Sequence, residues 1–154
     1  MSLGSEHSYR IGQVTGIYMC NPDEMTVRSL LKGNFVENLG LIGDKHSSSG
    51  DRQVTIFSAE GRSRIETIER DGLCVKKFYE NITIKDLDVS KLTVGQELII
   101  GEAIFQITGI GKRCFPECNI VKVQQVCSLK NGVLFAKVIT SGTVRVGDEV
   151  CIRE

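Results

Sequence analysis

Leu92-Thr-Val-Gly95-Gln-Glu-Leu-Ile-Ile100 is echoed fifty-two residues later by Val144-Arg-Val-Gly147-Asp-Glu-Val-Cys-Ile152. In each stretch a glycine permits a sharp turn and an acidic residue then leads an alternating apolar strand. Two strand openings built alike do not make a duplication. They do describe a chain of short strands meeting at tight corners, which suits a closed or nearly closed β-barrel. Sixteen glycines against two prolines, with 41% hydrophobic residues, fit the same picture of many turns around an ordinary core.

Outward from these stretches the pattern continues. Ile11 to Met19 reads as a first strand, stopped by Asn21-Pro22-Asp23. Asn34 to Ile42 is apolar but broken by Asn38 and Gly40, hence an irregular strand or loop. Arg52 to Phe57 is a strand that runs into a helix over Ala59 to Asp71, with Ser58 as N-cap, Ile65 and Ile68 on its buried stripe and Gly72 at its end. The helix charges Arg62, Arg64, Glu66, Glu69 and Arg70 are expected on a solvated face, with i,i+4 pairing such as Glu66 with Arg70. Asn81 to Lys85 is a half-buried strand, and Glu97–Ile100 with Ala103–Thr108 form a hairpin around Gly101-Glu102. Val133–Ile139 and Glu149–Ile152 are the last two strands. The reading is one domain over residues 11–154, mainly β with one or two short helices, behind residues 1–10 as a disordered leader or appended residues.

The chain has 154 residues, and 19 basic side chains balance 19 acidic ones. That neutrality removes the usual electrostatic argument for nucleic acid or an anionic membrane as partner. No stretch approaches the ~18 apolar residues of a membrane span, and residues 1–10 carry no apolar secretion signal. A cytoplasmic protein with reduced thiols is the expectation. Six cysteines stand out. Cys20, Cys74 and Cys151 fall on strands or at element edges and read as small buried hydrophobes, with Cys127 undecided.

Cys114 and Cys118 read differently. With Cys127 they lie within fourteen residues directly after a strand, in Gly111-Lys112-Arg113-Cys114-Phe-Pro-Glu-Cys118. Lys112 and Arg113 adjoin Cys114, and neighbouring positive charge raises the thiolate fraction. A thiolate is both a nucleophile for sulfur transfer and a soft metal ligand. Structural zinc fits poorly, since one C-x3-C pair stands alone; a Cys114–Cys118 disulfide switch remains a distant reading. The second cluster is Gly43-Asp44-Lys45-His46 with Ser47–Ser49 and Arg52, a glycine-flanked polar loop able to bind a phosphate or other oxyanion. A loop that merely turns the chain is the commoner meaning of such a stretch. Neither a nucleophile-elbow G-x-S-x-G nor a glycine-rich nucleotide loop occurs.

Taken in order, these segments resemble the MOSC domain, named for the C-terminal part of molybdenum cofactor sulfurases. The resemblance rests on Gly43-Asp44-Lys45-His46, the Arg52-Gln-Val-Thr strand and Glu80-Asn81-Ile82-Thr83. It continues through Val94-Gly95, Gly111-Lys112-x-Cys114-x-x-x-Cys118, Gly132 to Val138, and Val146-Gly147-Asp148. It is similar to the small stand-alone prokaryotic members, from about Ile11 to Ile152. It implies a distorted closed barrel like the β-barrel domain of pyruvate kinase, and a protein that binds the molybdenum cofactor (molybdopterin) or carries sulfur as a cysteine persulfide. Cys118 best matches the family's molybdenum-ligating cysteine, and Cys114 is the second candidate. Asp44, Lys45, His46, Arg52, Asn81, Lys112 and Arg113 are the implied cofactor-binding residues. The sequence departs from its nearest relatives at Phe115, where histidine is common, so no acid–base role is assigned there. The implied partners are a cysteine desulfurase as sulfur donor, which would hold the pyridoxal phosphate, and molybdoenzymes or cofactor-synthesis proteins as acceptors. A small molybdenum-dependent reductase of N-hydroxylated compounds and a non-catalytic cofactor carrier are the alternatives.

Overall fold

The computed structural model describes residues 8–24, 26–48, 50–67, 78–111 and 132–153. Its elements in chain order are β1 (Ser8–Cys20), β2 (Val27–Leu30), β3 (Lys32–Val36), β4 (Gly40–Leu41), β5 (Val54–Ser58), α1 (Ala59–Thr67), β6 (Ile82–Lys85), β7 (Glu97–Ile100), β8 (Ala103–Ile110), β9 (Val133–Thr140), β10 (Gly142–Arg145) and β11 (Glu149–Arg153). A single 3₁₀ turn, Val89–Lys91, is capped by Asp88. The strands pair in the order β11-β7-β8-β9-β5-β6-β1, and β11 pairs back onto β1. Seven strands therefore close a barrel, as expected, with β2 added along the end of β1 and β10-β3-β4 forming a separate small sheet.

The two echoing stretches turn out to be neighbours. Val150 pairs with Ile100, Cys151 with Ile99, Ile152 with Leu98 and Arg153 with Glu97. Gly95 and Gly147 hold φ of 99° and 100°, a region costly for a residue with a Cβ. In both, the residue after the glycine donates back three positions, Gln96 N–H to Thr93 O and Asp148 N–H to Arg145 O. These are the same turn, built twice.

Alternation along the strands fills the barrel. Val14, Ile17, Ile56, Ile82, Ile84, Leu98, Ile100, Phe105, Ile107 and Val150 are all buried in one cluster. The small sheet caps it through Phe35, whose ring meets Phe105 edge-on at 5.2 Å. β1 opens at Ser8, three residues before Ile11, because Ser8, Tyr9 and Arg10 pair with Arg153, Ile152 and Cys151. The irregular stretch after Asn34 resolves into β3 and β4, joined through Asn38 and Gly40 at positive φ.

The β5–α1–β6 unit carries the only parallel pairing among the described strands, Ile56 with Ile82 and Phe57 with Thr83. Ser58 caps α1 as expected, its Oγ accepting from Gly61 N–H at 2.9 Å. Ile65 is fully buried; Ile68 lies outside the described residues. One expectation about this helix is corrected. Arg62 does not stand on a solvated face. Its Nε donates to both Glu80 carboxylate oxygens, at 3.1 and 3.3 Å, and it reaches Glu66 as well. Glu80 is buried and also accepts the Thr83 hydroxyl at 2.6 Å. A buried carboxylate demands a paired cation, and that demand draws Arg62 inward.

Candidate functional site: a cationic rim anchored on a buried carboxylate

The loop after β4 is polar in sequence, yet its second residue points inward. Gly43, at φ 89°, lets the chain turn, and Asp44 is buried. Its Oδ1 accepts Cys20 N–H at 2.9 Å and the Tyr79 hydroxyl at 2.8 Å, and its Oδ2 accepts His46 N–H at 3.1 Å. Lys45 N–H donates to Cys20 O, and both the backbone N–H and the hydroxyl of Ser47 return to Asp44 O. A carboxylate satisfied by charge-assisted hydrogen bonds from three directions holds the loop rigidly against the end of β1. Its Oδ2 also lies 3.9 Å from His46 Nδ1, so the imidazole has a carboxylate neighbour.

Lys45 and His46 are left at the surface. Both lie on the ring of Tyr79: Lys45 Nζ is 5.5 Å from its centroid, and the His46 ring runs nearly parallel to it at 5.3 Å. His46 Nδ1 lies 3.0 Å from the Tyr79 hydroxyl oxygen. Burial, then the hydrogen bond to Asp44 and that carboxylate's charge, pushes the Tyr79 phenol well above its ordinary pKa. Tyr79 also forms one wall of a cleft of about 330 Å³ beside α1, shared with Tyr18, Val27, Phe78 and the Arg62–Glu80 pair.

Asn81 follows Tyr79 and Glu80 and immediately precedes β6. Its Oδ1 accepts Thr55 N–H at 2.9 Å and its Nδ2 donates to Tyr18 O at 3.2 Å. Its own N–H donates to Thr55 O, and its carbonyl accepts Tyr18 N–H. Asn81 is thus a stitch between β5 and β1, with both ends of its amide occupied by backbone. Arg52 stacks its guanidinium 4.3 Å over the Phe135 ring of β9. Cys20 is buried, as expected for a small apolar residue, while Cys151 is half-buried with its thiol pushed up by burial and by Glu149.

Lys112, Arg113, Cys114, Cys118 and Cys127, like Cys74, lie outside the described residues. The positions that bracket the thiol segment are described. Gly111 N–H donates to Val133 O, Val133 pairs with Phe57, and Ile110 pairs with Leu134. These positions sit at the Phe57 end of β5, whereas Tyr79 and Asn81 sit at its Val54 end. Three strand residues, roughly 10 Å, separate the two ends.

Sequence reasoning missed Tyr79. It precedes Glu80-Asn81 without any motif of its own, and its link to Asp44 spans thirty-five residues. The donor chemistry of the rim fits an anionic, phosphate-bearing group: the Lys45 ammonium lies at the surface, and Asp44 is engaged by inward hydrogen bonds. Among the described residues no three His, Cys, Asp or Glu side chains converge as a metal site.

A small closed barrel with a cationic rim held by a buried carboxylate is the class that fold and site define. The family can be stated outright. The MOSC domain profile matches residues 43–151, and the chain belongs to that family. MOSC domains are associated with the molybdenum cofactor, so the chain has a role connected with that cofactor. No curated protein matches it in sequence. Its fold is similar to the crystal structure of the YuaD protein from Bacillus subtilis, with TM-score 0.71 and 16% identity over 96% of this chain and 97% of that one. It is also similar to YiiM from Escherichia coli, with TM-score 0.60 and 16% identity over 91% of this chain and 69% of that one. No helix among the described residues is long and apolar enough to cross a membrane.

Proposed function

We propose that this protein handles sulfur or molybdenum in molybdenum cofactor metabolism through the Cys118 thiolate, with the Lys45–His46 rim receiving the cofactor's anionic end. The observation that carries the reading is the burial of Asp44, whose inward hydrogen bonds hold the loop so that Lys45 and His46 lie at the surface. The bound cofactor would supply the metal and the pterin dithiolene. The chain's part is to hold the phosphate by charge at Lys45 and to present a thiolate whose ionisation Lys112 and Arg113 favour.

Cys118 is taken ahead of Cys114 because it better matches the family's cysteine by position. Sulfur would come from a pyridoxal-phosphate-dependent cysteine desulfurase and pass to a molybdoenzyme or cofactor-synthesis protein, in a cytoplasmic setting.

Incubation with a desulfurase and cysteine should add one sulfur to the intact mass. That gain should disappear in Cys118→Ala and persist in Cys114→Ala. Retention of wild-type sulfur loading and molybdenum content in both variants would remove the thiol assignment. A cofactor-loaded protein that turns over N-hydroxylated substrates with an electron donor would instead make it the reductase, and loading without turnover or sulfur gain would make it a carrier.

A further inference from the structure

We propose that the cleft beside α1 is a binding site for a small aromatic cation of the aryl-alkyl ammonium class. It encloses about 330 Å³, the size of a small-ligand pocket. Its walls are aromatic or apolar: Tyr18 and Val27 come from β1 and β2, Phe78 and Tyr79 from the segment before β6. The Tyr18 ring is set by its neighbour two positions back. A Cβ on Gly16 would lie 2.7 Å from that ring, so glycine lets the ring lie against the strand as a flat wall. The faces of such rings carry partial negative charge and attract cations.

The charges at the cleft favour the same sign of ligand. Arg62, Glu66 and Glu80 line it, one cation against two carboxylates. The Arg62 guanidinium is already committed. Its Nε donates to both Glu80 oxygens, its Nη2 donates to Phe78 O at 3.4 Å, and the group lies 5.5 Å from the Phe78 ring centroid. Glu66 is engaged far more loosely: its Oε2 is 3.6 Å from Arg62 Nη1, longer than a hydrogen bond, and its side chain is 61% exposed. At the Tyr79 wall, Lys45 and Asp44 offset each other. Arg64 stands two residues from both Arg62 and Glu66, on another side of the helix. Arg28 points to the opposite face of β2 from Val27 and pairs with Glu24. Among the described residues the cleft therefore carries one uncompensated carboxylate beside aromatic walls. An ammonium group can pair with Glu66 while its aromatic body packs on Tyr18 and Phe78. Such binding needs neither the Cys118 thiolate nor the cofactor.

Benzylamine, benzyl alcohol and benzoate are close in shape and carry a positive, no and a negative charge. Each is titrated into the full ¹⁵N-labelled chain at about pH 8, where an ordinary imidazole is uncharged and the amine keeps its proton. Benzylamine should shift the Tyr18, Val27 and Tyr79 amide signals and bind more tightly than benzyl alcohol, with benzoate weakest. Glu66→Gln, at an exposed helix position, should weaken benzylamine about two- to fivefold, the range for one exposed charge pair, and leave benzyl alcohol unchanged. The ranking of the three probes on the wild-type chain stands without any variant. Equal affinity for all three, tighter binding of benzoate, or absence of shifts at the cleft would overturn the proposal. So would an unchanged benzylamine affinity in folded Glu66→Gln.

Discussion

Replacing Asn81 by alanine separates a structural role from a ligand-binding one. The side chain satisfies two backbone groups at the opening of β6, the buried Thr55 N–H and the part-buried Tyr18 C=O. Leaving a buried donor unsatisfied costs about 1–3 kcal/mol, and losing a typical hydrogen bond about 0.5–1.5 kcal/mol. The expected loss is therefore about 2–4 kcal/mol. For a protein near this size each kcal/mol shifts Tm by about 2–4 °C, so Asn81→Ala should melt roughly 4–16 °C lower. Thermal unfolding followed by circular dichroism gives the shift, and hydrogen exchange should show the Thr55 amide losing protection. Asn81→Asp, which keeps an acceptor for Thr55 but loses the donor to Tyr18, should also lose stability while preserving Thr55 protection. A variant within about 2 °C of wild type that loads less cofactor would refute this reasoning and make Asn81 a ligand residue.

Other outcomes follow from the same geometry. Arg62→Met strands the buried Glu80 carboxylate and should cost about 3–5 kcal/mol in urea unfolding. Adding Glu80→Gln removes the charge and should recover part of that loss; a double variant less stable than the single one would contradict the pairing. Tyr79 gives a pH signature. The unfolded chain releases its phenolic proton near the ordinary pKa of 10.0, while the folded chain holds it, so this part of the stability is complete below about pH 10 and falls as pH rises beyond it. Tm measured from pH 9 to 11 should drop more steeply for wild type than for Tyr79→Phe. Gly142→Ala would place a Cβ 2.3 Å from the Glu102 carbonyl carbon, and should destabilise by about 1–3 kcal/mol or prevent β10 from docking.

Much of the barrel was legible because its information is local. Gly95 and Gly147 announce turns that need positive φ, and the alternation in Glu97–Ile100 and Ala103–Thr108 announces a hairpin. β2 and β10 were missed. Val27-Arg-Ser-Leu30 is almost wholly exposed, and Gly142-Thr-Val-Arg145 starts on a glycine, so neither carries a strand pattern that stands out from a turn. The site divides similarly. Gly43-Asp44-Lys45-His46 and Cys114/Cys118 were visible as clusters of reactive residue types. The inward turn of Asp44 was not, since an aspartate in a polar loop ordinarily faces water.

What the sequence determined by itself was the set of corners, the alternation that fills the barrel and the ordered motifs of a MOSC domain. Each depends on residues within a few positions of one another. Tertiary structure alone decided that β7 lies beside β11 and that β11 closes on β1. It also decided that Arg62 serves Glu80, and that Tyr79 joins Asp44 to His46 across thirty-five and thirty-three residues. Such contacts leave no period in one sequence, because what selects them is the burial of a charge or donor that must find its partner wherever the fold brings one near.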